Sequence, residues 1–400
     1  MQVKHPPNQI TAVYNVTSTT SATTLCSNEF DYKNKLKAVY VDGENIGTKY
    51  SYTFKTTGKH EVRFVIKENP SDFSSMFKQV QKLTSVSFLE LRCTIVKAST
   101  MFESCTSLTT LDASKWDLSS LDDASYMFSN CSALTTLDVS KWDLSSLEDA
   151  SYMFRGCTKL KTLNVSNWNL RNVVSMYYAF NYCSSLTTLD VSNWDLSSLQ
   201  NAAQMFSNCT SLTTLDVSNW DLRNLTNCSS MFHSCRALNS LNTSNWQLNK
   251  VRYTSSMFEG CTSLTSLDVS NWGLESLTTT TSMFRNCSGL ASLNFSRLTL
   301  SNLTTATSMF QSCTSLTSLD LSNLDLRNLT KANLMINNCS ALVELRLNTE
   351  INSSCDLSGV LDSSGKTTSV LYYYPHQSFI DIFLPLVPSK WTKVDITTLE

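Results

Sequence analysis

The sequence predicts a repeat solenoid: a stack of parallel β coils, mainly β with short 3₁₀ or helical turns, preceded by a small antiparallel β domain and closed by a carboxy-terminal cap. Three observations predict it. Ten cysteines, Cys105, Cys131, Cys157, Cys183, Cys209, Cys235, Cys261, Cys287, Cys313 and Cys339, stand 26 positions apart with no insertion. The other apolar positions keep the same interval: Phe102 to Phe310, Leu108 to Leu342, Leu111 to Leu345, and Trp116 to Trp272 before leucine takes over at Leu298 and Leu324. No proline occurs between Pro70 and Pro375, so every backbone N–H in that span remains free to donate to a neighbouring coil. A fixed period of this length belongs to solenoids, propellers and arrays.

The spacing inside one unit selects among these. Numbered from its Met, the unit MFESCTSLTTLDASKWDLSSLDDASY carries recurrent apolar residues at positions 2, 5, 8, 11, 13, 16, 18, 21 and 24. The gaps are three or two and never a sustained three-four alternation, which excludes long amphipathic helices. Gaps of two predict strands around Leu111–Ala113 and Trp116–Leu118, and gaps of three predict tight turns or 3₁₀ pieces. The segment L-x-x-L-x-V-x-x-W-x-L fits the leucine-rich-repeat template, with Trp in the usual Asn place. Ten such coils, ~4.8 Å apart, would stack to about 50 Å.

Residues 1–70 read differently. Short alternating runs at Ile10–Val16, Leu36–Val41, Tyr50–Phe54 and Val62–Ile66 are separated by turn signals at Asp42-Gly43, Gly47 and Gly58. They predict a small β domain, too small to be robust alone, that packs on the first coil and partly caps it. Residues 71–100 form an irregular capping coil, in which Val80, Leu83, Val86 and Phe88 take the places later held by Cys, Leu, Leu and Val. The solenoid proper spans 101–350, with Met335 to Leu347 the last recognisable coil. The stretch 351–400, with Tyr372, Tyr373, Tyr374, Phe379, Phe383 and Trp391, is apolar enough to cover the open end, where an unpaired edge would otherwise template further pairing.

Of the 400 residues, 42% are hydrophobic and 16% charged, with a formal net charge of −2. That balance supports a large core and gives no electrostatic reason to expect nucleic acid or an anionic membrane. No run approaches the ~18 apolar residues that cross a bilayer. Met1–Pro7 lacks the apolar stretch of a secretory leader, so direct membrane insertion is not expected. Ten of the 14 cysteines occupy one interior column. Side chains stacked in parallel point the wrong way for the roughly 90° disulfide torsion, and the paired C-x₂-C spacing of zinc sites is absent, so a ladder of buried free thiols is expected and no metal or cofactor. Cys228 falls on another interior position, while Cys26, Cys93 and Cys355 lie outside the regular wording.

The units MFSNCTSLTTLDVSNWDLRNLTNCSS and MFEGCTSLTSLDVSNWGLESLTTTTS resemble those of the BspA-type leucine-rich-repeat surface proteins, over roughly Met76 to Leu347. The closing Tyr-Tyr-Pro … Leu-Pro … Trp stretch resembles the ending that follows such arrays. The resemblance implies adhesion or recognition at a bacterial cell surface or phage virion, and it carries over no catalytic residue.

Two exposed features are candidate sites. An acidic column, Asp112, Asp138, Asp190, Asp216 and Asp268 with Asn between, lies on the first strand, and a second runs nearby from Asp117 to Asp221. These residues either solvate the sheet and close their own turns or present a flat polar face to a glycan or protein; a ladder spreads oxygen ligands too widely to suit Ca²⁺. The other feature is aromatic: Tyr126, Tyr152, Tyr177, Tyr178 and Tyr182 occupy adjacent coils where later units carry Gln, Ser or Leu. Such rings either cover a corner or give large contact area at low entropic cost. His233, Arg236, Arg252 and Tyr253 form a smaller irregularity. Enzyme readings find little: His5, His60, His233 and His376 are the only histidines, glycines number nine, and no phosphate loop or nucleophile elbow appears. Sequons such as Asn208-Cys-Thr and Asn286-Cys-Ser arise from the repeat wording and abut the buried Cys. The expected function is non-enzymatic recognition of a cell-surface glycan or protein, with a structural spacer or virion appendage, assembled into a larger surface structure, as the alternative.

Overall fold

The computed structural model describes residues 8–67, 70–88, 93–295, 297–298, 300–347 and 350–398. The Met1–Pro7 stretch, with His5, lies outside them. The chain forms two compact units, Met1–Asp195 and Leu196–Glu400.

In the first unit a six-stranded sheet runs in the order Glu44–Gly47, Leu36–Val41, Gly58–Ile66, Gln9–Val16, Leu83–Ser87, Thr110–Asp112. Gln9–Val16 alternates as its sequence demands, burying Ile10, Ala12, Tyr14 and Val16. Asp42 and Gly43, both at positive φ, make the two-residue turn that pairs Val41 with Glu44, and the strand Glu44–Gly47 that follows is one the alternation did not reveal. The β domain does more than rest on the first coil. Gln9–Val16 pairs antiparallel with Leu83–Ser87, which pairs parallel with Thr110–Asp112, so one sheet converts from hairpin to solenoid at Leu83–Ser87.

Each coil then repeats one route, and all nine apolar positions read from the unit Met101–Tyr126 are buried. Phe77, Phe102, Phe128, Phe154 and Phe180 stack with successive ring centroids 5.4, 5.4, 5.4 and 5.5 Å apart. Trp116, Trp142, Trp168 and Trp194 form a second stack. Each cysteine lies behind the phenylalanine of the coil before it: the Cys131 thiol donates to the Phe102 carbonyl at 3.1 Å, Cys157 to Phe128 at 3.2 Å and Cys183 to Phe154 at 3.1 Å. All ten ladder cysteines are free and buried, as is Cys228.

The strand prediction needs correction. Among the described residues from Met101 to Leu347, regular strand appears only as two- to four-residue pieces such as Thr110–Asp112, Thr162–Leu163 and Thr188–Leu189, and Trp116–Leu118 is not one. There Asp117 accepts the Ser119 N–H and bends the chain instead. The densest ladder lies where the sequence suggested turns alone. N–H groups of Ala124, Tyr126, Phe128 and Asn130 donate to Asp149, Ser151, Met153 and Arg155 carbonyls of the next coil at 3.0, 2.8, 2.8 and 2.6 Å. The intervening N–H groups fold back three residues within the coil, as Met127 to Ala124 and Cys131 to Phe128. Two residues per coil at left-handed φ, Tyr126 at 57° and Asn130 at 60°, allow this alternation.

The second unit repeats the plan. Phe206, Phe232, Phe258, Phe284 and Phe310 stack at 5.7, 5.5, 5.6 and 5.8 Å, and Trp220, Trp246 and Trp272 at 6.1 and 5.5 Å. Where Trp gives way to Leu298, Phe295 takes a valine position and packs edge-on against Phe310 at 5.8 Å, restoring ring volume. The ladder does not stop at Leu347. Val370–Tyr373 pairs parallel with Glu344–Leu347, and Thr392–Asp395 pairs parallel with Val370–Tyr373, so the stretch expected to cap the array supplies two further rungs. Ser364 takes the cysteine place there, its hydroxyl donating to the Ile336 carbonyl as thiols do elsewhere. A short helix, Gln377–Ile382, and a 3₁₀ turn, Leu384–Leu386, then bring buried Phe379, Phe383 and Trp391 over the end. Among the described residues no helix is long and apolar enough to cross a membrane.

Candidate recognition surface

The acidic column proves occupied with its own backbone. Oδ1 of Asp112, Asp138, Asp190 and Asp216 accepts the N–H of the serine two residues on, at 3.1, 3.0, 3.2 and 3.1 Å, and that serine's hydroxyl as well. Asp268 accepts the Ser270 N–H at 2.9 Å and the Asn294 amide at 3.1 Å. These are Asx turns that carry the chain off the strand. The serine hydroxyls hold the Asp138 and Asp216 carboxyls below their ordinary range. At Asp268 burial pushes the other way, and the Ser270 and Asn294 hydrogen bonds outweigh it. The second column does the same work; Asp221 and Asp325 add forked pairs to Arg223 and Arg327.

Asparagines outside these columns perform the coil-to-coil stitching, which the sequence reading missed. Asn167 and Asn172 donate to the Ser140 and Ser145 carbonyls at 3.4 and 2.7 Å, and Asn245 and Asn271 to Ser218 and Ser244 at 3.1 and 3.2 Å. The displaced template Asn thus survives one residue before the Trp. Its signal was the recurring S-N-W.

The tyrosines present a different picture. Tyr126, Tyr152 and Tyr178 occupy the first left-handed position of their coils, with φ of 57°, 59° and 59°. Their rings stack at 4.2 and 4.8 Å, nearly parallel, and Tyr177 abuts the rings of Tyr152 and Tyr178 edge-on at 5.3 and 4.4 Å. All four are half-buried. Burial raises the Tyr152 and Tyr177 phenols above their ordinary value, so they are neutral donors at physiological pH. Tyr182 stands apart from this stack at the second left-handed position, 51% exposed. The Arg155 guanidinium lies 6.0 Å from the Tyr152 ring centre.

The smaller irregularity is less concentrated: Tyr253 is 48% exposed, and the His233 ring stands 3.4 Å from the Ser207 hydroxyl. His60 is committed within the β domain, its two ring nitrogens facing Asp42 Oδ2 at 2.6 Å and the Thr56 carbonyl at 3.0 Å. Among the described residues no three His, Cys, Asp or Glu side chains gather as a metal-ligand set.

Comparison with solved structures finds a leucine-rich cell surface protein from Faecalibacterium prausnitzii A2-165, 17% identical, with 75% of this chain and 85% of that chain covered at a TM-score of 0.28. It also finds the TLR13–ssRNA13 complex, 18% identical, covering 80% of this chain and 52% of that one at 0.25. A third is the Toll–Spatzle complex of Drosophila, 18% identical, covering 76% and 42% at 0.30. The chain therefore spans about half or less of the last two. No curated protein matches. A family model described as "Mycoplasma protein of unknown function, DUF285" matches residues 49–162, 131–246 and 226–349. Those three overlapping matches take in well over half of the sequence, and the chain belongs to that family.

Proposed function

We propose that the chain is a non-enzymatic recognition protein of a cell or virion surface, of the BspA type that its repeat wording resembles, and that it binds a cell-surface glycan or protein through the tyrosine face of its first unit. The observation that carries this reading is the stack of Tyr126, Tyr152 and Tyr178 with Tyr177 against it. Tyrosine is a costly choice at a left-handed position, and Ser230, Ser256, Ser282 and Ser308 hold the same place in later coils. Nothing in the coil route requires the rings. They add a row of phenol edges and hydroxyls at coil spacing, which suits an extended ligand. The acidic column is the weaker candidate, because Asp138, Asp190 and Asp216 already spend one oxygen on their own turns.

The test compares two variants. Replacing Tyr126, Tyr152 and Tyr178 by Ser installs the residue used by other coils, so folding survives, and attachment to target cells is expected to fall. Changing Asp138, Asp190 and Asp216 to Lys should leave attachment in place. Loss in the lysine variant alone would move the site to the acidic column. Attachment unchanged in both would leave the array a structural spacer.

A further inference from the structure

Beside the tyrosine stack, the second left-handed column runs Asn130, Gly156, Tyr182. Gly156 contributes no side chain there, and the gap opens a cavity of about 340 Å³ lined by Asn130, Arg155, Gly156, Thr158 and Tyr182 among others. That volume lies at the small end of ligand sites, ~300–1,000 Å³, and suits a single sugar residue. A Cβ on Gly156 would come within 2.5 Å of Asn130 Oδ1, so any larger residue closes the gap.

The charge in this cavity is uncompensated. Residues at the Arg155 position of other coils pair their charges across coils: Lys78 Nζ lies 3.7 Å from Glu103, and Arg285 donates to Glu259 at 3.2 Å. The residue 26 before Arg155 is Ser129, neutral and with a buried hydroxyl that has no partner. Arg155 makes no ion pair among the described residues, which distinguishes it from Arg285; the Nε of both is enclosed without a hydrogen-bond partner. An enclosed Nε is out of a ligand's reach, so the contact falls to the outer guanidinium nitrogens, which have no carboxylate partner as Arg285 has in Glu259. Around Arg155 stand a carboxamide, a hydroxyl and an exposed phenol ring, the polar and stacking groups a sugar ring uses.

We infer that the Gly156 notch is a carboxylate-binding subsite, with Arg155 receiving the carboxylate of an acidic monosaccharide whose ring lies against Tyr182 and whose hydroxyls meet Asn130 and Thr158. This rests on the recognition reading above and names its ligand class. The full chain is titrated, by calorimetry or ligand-detected NMR, with methyl glucuronoside, its neutral methyl ester, methyl glucoside and N-acetylglutamate methylamide. The glucuronoside should bind at least ~10-fold tighter than the other three, the weight of one charge-assisted contact. Arg155→Gln should erase that preference, whereas Arg285→Gln, whose arginine is already paired, should not. Gly156→Ser should block the site while folding normally, since Ser104, Ser234 and Ser312 hold the same left-handed position. Equal binding of charged and neutral sugars, or a preference that survives Arg155→Gln, overturns the assignment; tighter binding of the glutamate amide overturns the sugar half. If the glucuronoside fails while Tyr126/Tyr152/Tyr178→Ser still abolishes attachment, only this inference falls.

Discussion

Two tryptophans in one stack allow the hydrogen-bond contribution of the core to be isolated. Trp142 and Trp168 are each 3% exposed, and each is flanked by rings of its own column and by one phenylalanine 6.2 or 6.3 Å away. They differ at one atom. Trp168 Nε1 donates to the Val139 carbonyl at 3.3 Å, whereas Trp142 Nε1 is buried without a partner. Replacing either by Phe removes the same ring volume and keeps the stack, so the packing losses cancel in the comparison. Trp168→Phe additionally loses a neutral hydrogen bond, ~0.5–1.5 kcal/mol, while Trp142→Phe removes a buried unsatisfied donor that cost ~1–3 kcal/mol. Trp168→Phe should therefore be the more destabilising by about 3 kcal/mol. Urea unfolding of the two variants, followed by circular dichroism, reads the gap. Equal costs, or the reverse order, would refute the assignment of those indole donors.

Other outcomes follow from the same packing. The ladder thiols should resist a thiol reagent in the native protein, with the half-exposed Cys93 and Cys355 modified first, and denaturation without reductant should release at least the ten. Burial pushes the Cys157 and Cys339 thiols up to about 12, so unfolded chains ionise first; stability is whole below about pH 9 and declines as pH rises through 12, which alkaline melts will show. The Asp138 and Asp216 carboxyls are depressed, so their stabilisation is present above about pH 4 and lost as pH falls through their folded-state values; a melting temperature unchanged between pH 6 and pH 2 would contradict it. Deleting residues 366–400 strips Val370–Tyr373 and Thr392–Asp395 from the ladder and bares the edge of Glu344–Leu347, so light scattering should find aggregates. Removing Met205–Ser230, one whole period, should instead leave a soluble chain.

The period, the buried columns and the free thiols were legible because packing against the coils above and below imposes one residue type at each interior position. What escaped was set by backbone. The left-handed residues at Tyr126 and Asn130 carry no single residue type, since Tyr, Gln, Ser, Asn, Gly and Leu all occupy such places, so the main inter-coil ladder left no pattern to read. The added rungs at Val370–Tyr373 and Thr392–Asp395 were hidden because Ser364 replaces cysteine, Val360 replaces methionine and Leu361 replaces phenylalanine while the spacing slips. Of the candidate site, the tyrosines stood out as departures from the repeat. Their division into a stack and a separate Tyr182, and the notch beside it, depended on which left-handed position each residue holds.

Hydrogen exchange of the full chain, read by mass spectrometry with and without target-cell envelope glycans, tests the recognition surface most directly. Slowed exchange confined to peptides spanning 124–131, 150–158 and 176–184 is the expected result. Protection confined instead to peptides spanning 110–115, 136–141 and 188–193, or none at all with binding retained, would contradict it.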